Sequence, residues 1–321
     1  MNTRLEEADF EDSAVLGASD SVAESPWVVL KFGGTSVSSK ENWQTIANLA
    51  RSRLEQGLRP VIVHSALAGV SNNLIEILEQ AVGGDPLDRL QQIRAQHYDL
   101  ANELGLDGEP LLEERLHELE QLVAGVRLVR EVSVRVRVRV MALGELLSTS
   151  LGAAYLESVG VPTRWLDARD LLTSRSRPGR NPSSSYLSAT CDCEPDDALA
   201  ATLAGQEGVV LTQGFIARNT SGETVLLGRG GSDTSAAYFA AKLRARRLEI
   251  WTDVPGMFTA DPRVVPSARL LVAVHYDEAQ ELASAGSTVL HPRAISPVRD
   301  SSIPIFIRST ANPEIPGTDI S

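Results

Sequence analysis

Trp27-Val28-Val29-Leu30-Lys31-Phe32-Gly33-Gly34-Thr35-Ser36 runs from an apolar segment straight into a cation, two glycines and two hydroxyls. The apolar, β-branched run predicts a buried strand, and the glycine pair predicts the turn that ends it. Lacking Cβ atoms, Gly33 and Gly34 can take positive φ and bring backbone N–H groups close to an anion. Lys31 adds a point charge, and Thr35 and Ser36 add donors. The segment suits a phosphate chain, although it is neither the Walker loop nor GxGxxG. Taken alone, it fits equally a strand that closes on a glycine turn beside a solvated lysine.

A second segment, Leu226-Leu227-Gly228-Arg229-Gly230-Gly231-Ser232-Asp233-Thr234-Ser235, repeats the theme of glycines and a cation after a β-like run. The Ala- and Leu-rich stretch from Ala236 to Leu248 that follows has the composition of a helix with basic residues toward its end. Helix N-termini favour anions. A third block, Leu248 to Arg263, predicts a short strand entering the Pro255-Gly256 turn. Ligands of open α/β sheets gather at such carboxyl strand ends.

Between these blocks, apolar β-branched runs predict strands near 27–31, 60–65, 209–212, 224–227, 248–252 and 303–307. Apolar residues at i, i+3 and i+4 predict helices over 42–56, 73–82, 87–104, 111–129, 144–158 and 235–243, and a further helix is expected over 196–203. This alternation argues an α/β sandwich with a largely parallel central sheet. Arg130 to Val140 conflicts locally, because valines alternate with Ser133, Arg135, Arg137 and Arg139 as in a half-buried strand.

In this order, and together with Val63 to Asn72, Ala142 to Ser148, Thr212 to Ile216 and Val289 to Arg293, the chain resembles the catalytic domain of aspartate kinases, within the amino acid kinase superfamily. The resemblance spans roughly 27–318. It implies a three-layer α/β sandwich of the amino acid kinase (carbamate kinase-like) fold, with a substrate lobe at 27–205 and a nucleotide lobe at 206–318. It also places Arg130 to Val140 on the helix leading to Glu145. The ACT regulatory domains that usually follow are not expected in this chain. The implied activity is transfer of the γ-phosphoryl group of ATP to the side chain of L-aspartate. That step opens lysine, threonine, methionine and diaminopimelate biosynthesis.

Such a reaction brings two anions together, so cations matter more than bases. By resemblance, Lys31 sits between γ-phosphate and acceptor carboxylate, and Asp233 holds it there, although Asp233 could also act as a helix N-cap. Gly33, Gly34 and Ser36 line the phosphates. Arg229 clamps a carboxylate of the amino acid, and Glu145 pairs with its ammonium. Ser71, Phe215 and Ser232 match the remaining substrate contacts, Ser71 standing where threonine is frequent. Thr252, Asp253, Phe258 and Arg263 match positions around the adenosine and phosphates. Phe258 replaces a common tyrosine. Thr288 stands where several relatives carry a lysine, a loss for which Arg263 is the candidate compensation. Mg2+ arrives with ATP, and no protein metal ligand is expected. His64 and His291 are expected to pack or hydrogen-bond, because a side-chain carboxylate is already ionised near neutral pH and needs no base.

The composition, 43% hydrophobic and 22% charged, is that of a globular protein with a large core. Of the net charge of -12, residues 1–26 supply half, with seven acids against Arg4. That leader has neither a basic n-region nor an apolar h-region and is expected to be disordered. No apolar stretch is long enough for a membrane helix, and no nucleic-acid-reading motif occurs. Cys191 and Cys193, with no second thiol pair, argue against a zinc site and fit a reducing cytoplasm. A homodimer, and fusion to a regulatory or second catalytic domain, are left open. Two rival readings remain: a kinase for another acidic metabolite such as N-acetylglutamate, and a nucleotide-binding sensor domain without turnover.

Overall fold

β1 (Trp27–Phe32) is buried along all six residues, as a strand must be when other strands flank both its edges and helices cover both its faces. The computed structural model describes residues 22, 24–176, 179, 181–286 and 289–321. Most of the expected leader and Thr288 lie outside the described residues. After β1 come α1 (Lys40–Glu55), β2 (Arg59–His64), α2 (Val70–Gly83), α3 (Leu87–Leu104), α4 (Glu109–Val129), α5 (Val134–Ser158) and β3 (Thr163–Trp165). Three helices follow, α6 (Ala168–Leu171), α7 (Pro182–Leu187) and α8 (Asp197–Ala204), then β4 (Val209–Gln213), β5 (Ile216–Arg218), β6 (Thr224–Leu226), α9 (Gly231–Lys242) and β7 (Arg247–Thr252). The remainder is β8 (Ala273–Val274), α10 (Tyr276–Ser284), a 3-10 turn at Pro292–Ala294, α11 (Ile295–Arg299), β9 (Ile305–Ser309) and β10 (Thr318–Ile320).

The main sheet has the order β3-β4-β2-β1-β7-β9-β10-β8. Every neighbouring pair is parallel except β9 with β10. β1 lies in its middle, with Phe32 opposite His64 on one side and opposite Trp251 on the other. β4 falls in the expected nucleotide part, 206–318, yet sits between β2 and β3 of the part before it, so both parts share one sheet.

The period of two along a strand sorts β1 between two cores. Val28, Leu30 and Phe32 pack with Trp43 and Ile46 of α1, Leu74 of α2 and Leu147 of α5. Trp27 and Val29 pack on the opposite face with Phe239 of α9, Ala279 of α10 and Val298 of α11. Helix, sheet and helix therefore form three layers, as expected. The same parity puts Lys31 on the α9 face, at the carboxyl end of its strand.

The valine-arginine stretch is helical from Val134 onward. Arg130, with φ of 54°, ends α4, and Ser133 Oγ accepts from Val136 N at 3.3 Å to cap α5. Val138 and Val140 enter the core, while Arg135 and Arg139 reach outward to Glu223 (2.9 Å) and Glu118 (2.7 Å). Tertiary burial overrides the local strand pattern here. The expected strand at 224–227 forms, but in a separate antiparallel hairpin with β5.

Candidate active site

β1, β2, β4 and β7 run parallel, so their carboxyl ends meet at one edge of the sheet, where the N-terminus of α9 arrives. Lys31 and Asp233 meet there. Lys31 Nζ lies 2.6 Å from Asp233 Oδ1, with side-chain exposures of 11% and 13%. The contact is an ion pair by distance and lacks hydrogen-bond alignment at Oδ1.

Two glycines make the approach possible. A Cβ on Gly34 would stand 2.8 Å from Ala66 O, so only glycine lets the loop after β1 lie against the loop after β2. Gly230, the N-cap of α9, has φ of 62°, and a Cβ there would stand 2.2 Å from His291 Cβ. Gly33 N donates to Trp251 O at 3.4 Å, tying the first loop to the end of β7.

Ser232 accepts from Ser65 Oγ at 2.9 Å, and Ala66 N, one residue on, donates to Glu145 Oε1 at 3.4 Å. Glu145 is buried within α5, where Gly144 allows close packing on Ala66, Leu74 and Val70. Its Oε2 has no partner, and burial pushes the carboxyl up to about 8. Ser71, the second residue of α2, follows the Val70 that packs there. Phe215, with φ of 68°, donates its N–H to Ser235 Oγ at 2.9 Å, and its ring lies against Gly231. Lys31, Asp233, Ser232, Glu145 and Phe215 thus form one connected cluster, with Ser71 at its border.

Arg229 is exposed and makes no hydrogen bond or ion pair to another described residue. Its charge and that of Asp233 both act on His291, whose pKa is lowered chiefly by burial. His64 is fully buried, its ring edge-on to Trp43 at 5.4 Å, and burial lowers its pKa to about 4. As a neutral ring it donates from Nδ1 to Ser65 O at 2.9 Å, beneath the cluster.

Of the residues expected around the nucleotide, Thr252 is the last residue of β7 and Asp253 follows it, beside Gly33, with Thr252 Oγ1 donating to Asp253 Oδ1 at 3.0 Å. Phe258 forms a backbone bridge to Leu270 within the following loop. Arg263 is 83% exposed, and its fork is taken by Asp261 at 3.0 and 2.9 Å. Ser36, expected to line the phosphates, is buried; its hydroxyl donates to Trp251 O at 3.4 Å, and its N–H donates to Gly33 O. Both its donors hold the loop together, and Thr310 Oγ1 adds a bond to it at 2.8 Å. Two cavities, of about 270 and 330 Å3, lie away from this cluster.

Residues 26–309 match the model of the amino acid kinase family. The chain belongs to the amino acid kinase family. Among members with known roles, lysine-sensitive aspartokinase 3 of Escherichia coli (strain K12) is 35% identical over 303 residues, covering 91% of this chain and 63% of that protein. Aspartokinase 2, chloroplastic, of Arabidopsis thaliana is 35% identical over 303 residues, covering 91% of this chain and 54% of that protein. The chain therefore spans between half and two thirds of these relatives. The crystal structure of E. coli aspartokinase III in complex with aspartate and ADP matches with a TM-score of 0.79 and 34% identity, over 91% of this chain and 64% of that one.

Within this member of the family, sequence patterns did not single out Ser65, the Ala66 N–H, Thr310 or Arg293. Ser65 had a usable signal, a hydroxyl at the carboxyl end of the strand predicted over 60–65. Thr310 had none, because its partner Ser36 lies 274 residues away in the chain, and Arg293, though it closes the Val289 to Arg293 block, has partners 66 to 105 residues away that no local pattern shows.

Proposed function

We propose that this chain transfers the γ-phosphoryl group of MgATP to the side-chain carboxylate of L-aspartate, releasing 4-phospho-L-aspartate and ADP. The observation that carries the reading is the single cluster in which Lys31 and Asp233 are linked through Ser232, Ser65 and Ala66 to Glu145. It supplies a cation where two anions must approach and a buried carboxylate with an unpartnered oxygen for a primary ammonium. An amino-acid kinase acting on a free α-amine needs both.

In this reading the carboxylate of aspartate attacks the γ-phosphorus as its terminal anion, and the bond to the β-phosphate oxygen breaks to release ADP. No base is required, since the nucleophile is ionised near neutral pH, and neutral His64 offers none. Lys31 offsets the repulsion between carboxylate and phosphate, and Asp233 fixes its ammonium. Gly33 and Gly34 let backbone amides approach the phosphates, with Ser36 anchoring their loop from below. Arg229 binds a substrate carboxylate as a planar fork, while Ser71, Phe215 and Ser232 border the amino acid. Thr252, Asp253, Phe258 and Arg263 are assigned to the nucleotide, Arg263 turning from Asp261 to phosphate.

Mg2+ enters as part of the nucleotide substrate, held by phosphate and water oxygens. Among the described residues no group of three His, Cys, Asp or Glu side chains could cage it. Free Cys191 and Cys193 suit a reducing cytoplasm, which we propose as the setting. Among the described residues no helix is long and apolar enough to cross a membrane.

Parallel kinetics with L-aspartate and N-acetyl-L-glutamate test the assignment. An acylated amine gives Glu145 nothing to neutralise, so only aspartate should support turnover. Turnover with N-acetylglutamate alone would replace this reading with the rival one.

A further inference from the structure

We infer that Arg293 is a positioning residue that fixes the loop presenting Arg229, an inference that rests on the aspartate-binding role proposed for Arg229. Arg293 lies on the 3-10 turn Pro292–Ala294, remote in sequence from both motifs. Its Nη1 donates to Ser188 Oγ at 3.2 Å and to Leu227 O, and its Nη2 donates to Ala189 O at 2.9 Å. Ala189 N donates in turn to Leu226 O at 2.8 Å. One planar fork therefore joins the 188–189 segment to Leu227, the residue after β6 and immediately before Gly228-Arg229-Gly230. A guanidinium can hold two backbone carbonyls in fixed relative positions, which a lysine ammonium cannot.

The other end of the loop is held by the same turn. His291 packs so closely on Gly230 that a Cβ there would stand 2.2 Å from the histidine Cβ and Cγ. His291 Nδ1 accepts from Arg293 N at 3.2 Å, so the two grips share one rigid corner. Between them Arg229 has no bond to another described residue, and its neighbours Gly228 and Gly230 have φ of 79° and 62°. Glycines on both sides leave a loop with the largest backbone entropy to lose on binding. Arg293 and His291 remove that freedom before substrate arrives, so Arg229 meets its carboxylate pre-oriented.

Two variants and two readouts test this. Arg293→Ala should raise the aspartate KM about tenfold, with ATP KM and kcat within about twofold of wild type, as expected for loss of substrate orientation alone. Arg293→Lys should recover only part of that loss. Amide hydrogen exchange should rise about tenfold at Gly228 to Ser232 in Arg293→Ala while β1 amides stay unchanged, marking a local release. Unchanged exchange in the loop, or an ATP KM that rises in step with that for aspartate, would overturn the proposal. If the wild type shows no aspartate-dependent turnover, the role of Arg229 fails, and the exchange measurement still decides whether Arg293 holds the loop.

Discussion

Lys31 Nζ and Asp233 Oδ1 stand 2.6 Å apart although two hundred residues of chain separate them. The strand parity that sends Lys31 to the α9 face, and the glycines that let α9 begin beside it, make this contact. Lys31→Ala should lower kcat about a thousandfold, the scale of losing a pre-placed cation at developing charge. Unfolding should become easier by about 2 to 3 kcal/mol, because Asp233 is left nearly buried without its partner. Steady-state kinetics and denaturant titration on one preparation check both.

Arg229 is the converse case. It is exposed and bonded to no other described residue, so Arg229→Ala should leave the thermal midpoint unchanged. The aspartate KM should rise about ten- to a hundredfold, the value of charge-assisted hydrogen bonds to a carboxylate. The ATP KM should hold.

Glu145 makes the pH dependence specific. Burial raises its carboxyl to about 8, so the folded protein favours the neutral form. The stability this contributes is complete below the ordinary carboxylate range and is lost as pH climbs through about 8, at about 1.4 kcal/mol per pH unit in between. Glu145→Gln should therefore match the wild type in thermal midpoint near pH 4 and exceed it at pH 8. Binding runs the other way: the ammonium of aspartate needs the carboxylate, so wild-type kcat/KM for aspartate should rise toward pH 8. That rise should be absent in Glu145→Gln, together with most of the affinity.

Gly230→Ala should cost about 2 kcal/mol or more, since it combines a left-handed backbone with a clash against the His291 side chain. Gly222→Ala is the control. Its φ is 80° with open space around it, so it carries only the backbone strain of about 1 kcal/mol. Comparing the two by denaturant midpoint separates conformation from contact.

What could be read from residues alone follows from how local each cause is. The six buried residues of β1, the helix starting beside Gly230 and the ends of β2 and β7 all announce themselves through apolar runs broken by glycine or proline. Thr163–Trp165 and Thr318–Ile320 are three-residue strands with no such run, recruited only by neighbours already in the sheet. The valines before Val140 alternate like a strand, yet the buried 25-residue α5 absorbs them. At the site, motif residues came together where one covalent segment carries several of them, as in Ser232-Asp233. For Ser36 and Arg263 the motif does not show what the donors already bond to, Trp251 O for one and Asp261 for the other, since those partners are set by the folded loops.

The most direct test of the central claim is to trap the product with hydroxylamine while following ADP release from the purified chain and MgATP. An acyl phosphate would be captured as the hydroxamate. Hydroxamate and ADP should form in equal amounts, both dependent on L-aspartate and both lost in Lys31→Ala. ADP released at the same rate with and without aspartate, and no hydroxamate, would contradict it.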